Sequence, residues 1–265
     1  MDKDCVIFIA AKDIYADTWD IFFSLFFKYW PDCPFPVYLV SENKTYSDPR
    51  IIPMVVPENP EKSWGEQWAS RMKNALDKIN SPYFIFLHTD YMFKEKVDTK
   101  RILKLLKIAQ NNNIGNIRLY PLPAPSKKWG VSEGEKLGLI EKSDDYSVSL
   151  QVALWNRGFF EKILKDGWSP VEMELIGSKE VALMSELLLS VFKNDPAISY
   201  INALKKGKWL YDAVSFIKKE GLYFKPILPV EGLSGYYMRV SGLGSFISKL
   251  KRVIFKKIMV RFRIF

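Results

Sequence analysis

The chain has 265 residues, of which 48% are hydrophobic, 15% aromatic and 26% charged, proportions of a folded globular protein that exclude a disordered or collagen-like chain. At this length a chain buries about three quarters of its unfolded surface, so its two cysteines, Cys5 and Cys33, are not required as a disulfide or zinc framework. The net charge is +9, but residues 245–265 hold seven bases and no acid, leaving +2 on the preceding 244; a nucleic-acid partner is therefore not expected.

Residues 5–11 form a nearly continuous apolar run, the pattern of a strand buried on both faces of a parallel sheet. A helix is predicted over 17–30, with Asp17 as N-cap and Trp19, Phe22, Phe23, Phe26 and Phe27 on a broad apolar face, stopped by Pro31, Pro34 and Pro36. Strands follow at 37–40 and 51–56. Ser63-Trp64-Gly65-Glu66 has the form of a capping box. The helix it opens carries Trp64, Trp68, Met72, Ala75, Leu76 and Ile79 at helical spacing up to Pro82. Residues 83–87 are five apolar residues in a row, ending abruptly in His88-Thr89-Asp90. A helix over 98–110, a strand near 117–120 and a Pro-rich loop over 121–134 come next. The second half predicts a strand over 147–155, helices over 159–165 and 178–192, an edge strand over 198–204 and a helix over 210–220 ended by Gly221. The economical organisation is one α/β domain over 1–240 followed by a basic tail over 241–265.

In that tail Phe246, Ile247, Leu250, Val253, Ile254 and Ile258 recur at helical spacing, with Lys249, Arg252 and Lys256 opposite. A basic amphipathic helix of this kind suits the surface of an anionic membrane; the plainer alternative is a helix packed on its own domain. The opening Met-Asp-Lys-Asp lacks the basic start of a secretory leader, and no run approaches 18 apolar residues. The expectation is a cytoplasmic protein, peripheral on the inner leaflet of the cell membrane.

Open α/β sheets place their ligands at the carboxyl ends of strands, which directs attention to His88 and Asp90. As residues i and i+2 they share one face of an extended strand, where imidazole and carboxylate, with water and diphosphate oxygens, complete an octahedral Mg or Mn shell. The plainer reading of His88 is a hydrogen-bonded structural residue. Trp129 falls in the long Pro-rich loop, where an aromatic side chain is placed to stack on a sugar or base.

Strand 83–87 ending in His88-Thr89-Asp90-Tyr91-Met92-Phe93, preceded by Trp68-x-x-Arg71, resembles the donor-site region of bacterial GT-A glycosyltransferases of capsule and O-antigen clusters. Ser149-Leu150-Gln151-Val152-Ala153-Leu154-Trp155 resembles their strand before the acceptor site, Ser169-Pro170-Val171-Glu172-Met173-Glu174 an acidic segment, and Asn202-Ala203-x-x-x-Gly207-Lys208-Trp209 a late motif. The order of these pieces spans about residues 5–225. The resemblance implies a GT-A-like, Rossmann-like mixed sheet flanked by helices. It also implies transfer of a sugar from a nucleotide-sugar donor to a lipid-linked saccharide or growing glycan. On this likeness Ala10, Ala11 and Lys12 meet the donor's base and ribose, Arg71 reaches its diphosphate or braces the Asp90 loop, and Asp90 with His88 takes the cation. Glu174, or failing it Glu172, serves as the base that deprotonates the acceptor hydroxyl, and Gln151 and Trp155 line the acceptor side. Thr89 stands where an acid is common in these relatives, and Val171 and Met173 replace aromatics. Thr89 lends weight to the alternative, a membrane-associated sugar-nucleotide-binding protein that does not turn over.

Overall fold

A computed structural model describes residues 4–57, 59 and 61–241, the side chain of Trp64 excepted, so the predicted tail helix over 245–265 lies outside the described residues. The chain divides into two units, Met1–Ile201 and Asn202–Phe265.

The first unit runs β1 (Cys5–Ala10), α1 (Trp19–Tyr29), β2 (Val37–Ser41), β3 (Ile51–Val55), α2 (Trp64–Asp77), β4 (Tyr83–His88), β5 (Tyr91–Phe93), α3 (Thr99–Asn111), β6 (Ile114–Arg118), β7 (Lys127–Ser132), β8 (Glu135–Leu139), β9 (Ala153–Asn156), α4 (Arg157–Ile163), α5 (Pro170–Leu175), α6 (Gly177–Glu180) and β10 (Leu187–Ser190), closing at β11 (Tyr200–Asn202). Nine strands make one mixed sheet in the order β3-β2-β1-β4-β9-β6-β10-β8-β7. The block β3-β2-β1-β4 is parallel throughout. β9 is antiparallel to both β4 and β6, and β10 returns parallel to β6. This is a Rossmann-like mixed sheet flanked by helices, the coarse architecture that the resemblance implies, and its parallel block is built from the apolar strand runs.

Alternation along the strands sorts the core. Val6, Phe8 and Ala10 of β1 and Phe84 and Phe86 of β4 join Trp68, Met72, Ala75, Leu76 and Ile79 of α2 and Phe159, Phe160 and Ile163 of α4 in one buried cluster. His88 continues the phase of Phe84 and Phe86, which turns it toward the same layer as α2. The N-terminus of α2 is set by the predicted box: the Ser63 side chain accepts from the Glu66 N–H and the Glu66 carboxylate from the Ser63 N–H.

Four segments depart from the sequence pattern, each for a physical reason. A short 3-10 turn, Asp13–Thr18, precedes α1, so Asp17 lies inside it and is not the N-cap. The predicted helix over 178–192 is instead α6, a second 3-10 turn at Val181–Leu183 and the strand β10. The run Leu187-Leu188-Leu189 lies between two neighbouring strands with Leu188 and Leu189 buried, and a short apolar run has no period that separates strand from helix. The Pro-rich loop is the hairpin β7–β8, closed by Glu133 and Gly134, both with positive φ as a two-residue hairpin turn requires. The strand predicted over 147–155 shrinks to β9, because side chains take the backbone N–H groups ahead of it. Ser178 Oγ accepts from Val148 N–H at 2.9 Å, and Glu174 Oε1 from Leu150 N–H at 2.8 Å.

The second unit contains the hairpin β12 (Leu204–Lys205) and β13 (Lys208–Trp209), α7 (Tyr211–Lys219) and α8 (Leu233–Val240). Ala203, Trp209, Ala213 and Ile217 are its fully buried side chains among the described residues, with Phe224 edge-on to Trp209 at 4.5 Å. Among the described residues no helix is long and apolar enough to cross a membrane.

Candidate functional site

β1 connects to β2 on one side while β4 lies on its other side, so the strand order reverses between β1 and β4, the point at which an open α/β sheet leaves a crevice at its carboxyl edge. Ala10 and His88 are register partners there. Ala10 and Ala11 are buried, and the Ala11 N–H donates to the Val40 carbonyl at 2.9 Å. Lys12 is half-buried and lies with its Nζ 3.5 Å from Glu42 Oε1.

Glu42, just past β2, organises this corner. Its carboxylate accepts from Arg71 Nη1 at 2.8 Å and from the Asp13 N–H at 3.0 Å. Asp13 answers by accepting from the N–H groups of Glu42, Asn43 and Lys44 at 3.2, 2.9 and 3.1 Å. This reciprocal clasp ties the ends of β1 and β2 together. Arg71, only 4% exposed, reaches the corner from α2 and braces Glu42.

His88 and Asp90 are both half-buried. The His88 ring stands edge-on to Phe86 at 4.9 Å and to Tyr91 at 5.3 Å. Burial pulls its pKa down to about 4; a hydrogen bond to the Ala10 backbone opposes this and the Arg71 charge adds to it. The imidazole is therefore neutral at pH 7. Asp90 is the reverse: burial pushes its carboxyl up to about 6, against a hydrogen bond to its own backbone. β4 ends at His88, and Thr89 and Asp90 form the turn into β5, so the alternation expected to pair His88 with Asp90 does not extend to Asp90. Among the described residues no three of His, Cys, Asp and Glu are gathered to hold a metal ion. Such a gathering would hold a metal by protein ligands alone; the cation expected at Asp90 and His88 draws most of its shell from water and diphosphate oxygens, and no step below passes through it.

Across the edge, α5 opens with a second capping box. Glu172 Oε2 accepts from both the N–H and the hydroxyl of Ser169 at 2.7 Å, which lowers the Glu172 pKa and occupies it as a cap on the surface. Glu174, two residues on, points inward: its Oε1 accepts from Leu150 N–H at 2.8 Å and from the Ser149 hydroxyl at 3.3 Å. Tyr91 links the two halves of the site. Its hydroxyl donates to the Leu150 carbonyl at 3.3 Å, and its ring stacks on Tyr200 at 4.5 Å, whose hydroxyl in turn donates to Gln151 Oε1. Burial raises the Tyr91 pKa, and the charges of Asp90 and Glu174 both raise it further, so the two carboxylates face one phenol from separate elements.

The structure thus gathers His88, Asp90, Gln151 and Glu174 around the Tyr91–Tyr200 pair, and Ala10, Ala11, Lys12 and Arg71 at the adjoining corner. It sets two predicted residues apart. Trp155 is 1% exposed, packed against Phe159 and Phe160 in the core, so it lines no acceptor surface. Trp129 lies in the edge strand β7 at a register shift between Lys128 and Gly130; five strand spacings separate β7 from β4, about 24 Å, so it is outside the cluster.

Three contributors are missed by sequence pattern. Glu42 follows a strand as Lys12 follows β1, a position that could have flagged it. The Ser169-x-x-Glu172 spacing is itself a capping-box signature. Arg118 gives no local signal: it is 1% exposed, and its guanidinium donates to the carbonyls of Pro123 at 2.7 Å, Ser147 at 3.1 Å and Tyr146. Burial lowers its pKa to about 10, opposed by the charges of Glu174 and Asp144, so it stays cationic at pH 7 behind Glu174.

No family model matches the chain, and no curated protein matches it. Among solved structures, the chain is similar to a cytidylyltransferase from Leptospira borgpetersenii serovar Hardjo-bovis (strain JB197), with 14% identity, a TM-score of 0.39, and coverage of 82% of this chain and 95% of that one.

Proposed function

We propose that the chain is a GT-A-like glycosyltransferase that moves a sugar from a nucleotide-sugar donor to a lipid-linked or growing surface-glycan acceptor, held at the cytoplasmic membrane face by residues 245–265. The observation that carries this reading is the convergence, at the reversal point between β1 and β4, of a basic corner and two carboxylates on separate elements. The donor's diphosphate would lie against the corner of Lys12, Arg71 and Glu42, a trio of net charge +1. As the sugar bond breaks, the leaving nucleoside diphosphate gains negative charge, and fixed positive charge at that corner stabilises it without reorganisation. Asp90, in the turn beyond His88, is placed to accept from a sugar hydroxyl. His88, uncharged at pH 7, packs behind that turn. Glu174, fixed through Oε1 by the Leu150 N–H, would take the proton of the attacking acceptor hydroxyl. Gln151 and Tyr200 then border the acceptor.

Hydrolysis of a panel of nucleotide sugars by the wild type, Asp90→Ala and Glu174→Ala tests the assignment. Loss of a base costs on the order of 100-fold or more in turnover, and Glu174→Ala is expected to show it. Equal turnover in all three removes these residues from the chemistry. Binding of a nucleotide sugar without turnover by the wild type favours the non-catalytic binding protein.

A further inference from the structure

Helix α8 contains no buried residue. Leu233, Tyr237 and Val240 stand at i, i+4 and i+7, on one helical face, and are 54%, 66% and 60% exposed. The helix is fastened from another side. Arg239 Nη2 pairs with Asp212 at 2.7 Å and Glu231 at 2.9 Å, and the Tyr236 ring lies 5.1 Å from Tyr211. The apolar stripe is therefore not what holds α8 on its own unit. The segment before it repeats the theme: Phe224 turns in onto Trp209, while Tyr223 and Ile227 are 85% and 83% exposed on either side of exposed Lys225.

Charge separates the two units sharply. Asn202–Phe265 holds fourteen bases and three acids, a net +11, and Met1–Ile201 holds twenty-five bases and twenty-seven acids, a net −2. The whole positive excess of the protein thus belongs to the unit that carries the bare apolar stripe. Arg239 engages two of that unit's three acids, Asp212 and Glu231.

We infer that the Leu233–Tyr237–Val240 face of α8 is a docking surface for an anionic lipid bilayer. Apolar side chains enter the boundary between headgroups and acyl chains, tyrosine rings sit at headgroup level, and the excess bases of the unit are drawn to the anionic surface. A nucleic acid would satisfy the charge and leave the stripe in water, and an ordinary protein partner would satisfy the stripe without needing +11. The inference rests on the membrane part of the proposed function. It adds α8 to the segment over 245–265, whose own apolar and basic residues follow a few positions after Val240.

The test uses the full chain and phosphatidylcholine vesicles with and without phosphatidylglycerol. The triple variant Leu233→Ser, Tyr237→Ser, Val240→Ser is expected to bind phosphatidylglycerol vesicles about tenfold more weakly than wild type or worse. Tyr237→Trp guards against a misfolded triple variant: its difference emission from wild type is expected to shift to the blue only when phosphatidylglycerol vesicles are added. Wild-type binding by the triple variant, together with no blue shift, overturns the role of α8. If glutamines replacing the bases of 245–265 then abolish binding, the tail alone is the anchor and the membrane reading survives. A wild type that ignores both vesicles, or that captures only single-stranded RNA, overturns both.

Discussion

His88 and Asp90 titrate in opposite senses, and the difference is measurable as stability. His88 has a folded pKa of about 4, below an unfolded value near 6.5, so the unfolded chain binds the proton first and stability is lost as pH falls from about 6.5 toward 4. Asp90 has a folded value of about 6, above an unfolded value near 3.9, so stability is lost as pH rises from about 4 to 6 and stays lost above that. In the wild type the two slopes oppose each other. Asp90→Asn is expected to be more stable than wild type at pH 8 by roughly 1–2 kcal/mol, after discounting for its partial exposure, and to show no such gain at pH 4. His88→Gln is expected to gain stability on acidification from pH 6.5 to 4 where wild type stays nearly level. Urea denaturation at pH 4, 6 and 8 reads both; parallel curves for all three proteins refute the buried character of the pair. Glu42→Ala, which strips the carboxylate from Arg71, is expected to cost about 3 kcal/mol by the same measurement, since an ion left inside loses its compensation.

At the scale of elements, the two acids of α5 separate cleanly. Glu172 closes a capping box, so Glu172→Ala is expected to cost on the order of 0.5–1 kcal/mol and leave turnover intact, whereas Glu174→Gln is expected to remove turnover with little change in melting temperature. The seat of α5 depends on a glycine in the first turn of α2. A Cβ at Gly65 would stand 2.8 Å from the Gly167 carbonyl oxygen and 3.0 Å from the Ser169 nitrogen, both backbone atoms that cannot turn aside. Gly65→Ala is expected to destabilise by about 1–3 kcal/mol and to lower turnover by displacing Glu174; an unchanged turnover number would show that α5 does not position the base. These dependencies also show what is legible in the sequence. The parallel strands are, because Cys5–Ala10 and Tyr83–His88 are apolar runs bounded by polar residues, and α2 is, because its cap and its period agree. The segment ahead of β9 is not, because Glu174 and Ser178 claim its N–H groups through tertiary contacts that no local pattern carries. Among site residues, strand-end position picks out His88, Asp90 and Lys12. Trp155 misleads, since a strand residue facing a filled layer looks in sequence like one facing a cleft.

Over the whole molecule, the two units differ sharply in charge. The near-neutral unit carries the sheet edge with its clasp and carboxylates, and the unit at +11 carries the bare helix face. Deleting residues 245–265 is expected to weaken vesicle binding while leaving hydrolysis of soluble nucleotide sugars at its wild-type rate; a fall in both would couple the segment to the first unit. Everything catalytic turns on whether the corner between β1 and β4 receives a diphosphate. The most direct measurement is a crystal structure with a nucleoside diphosphate bound. The expected result is the diphosphate beside Lys12 at the ends of β1 and β4, with Asp90 and Glu174 facing the same space. A nucleotide bound at another surface, with Tyr91 and His88 filling that corner, is the result that contradicts it.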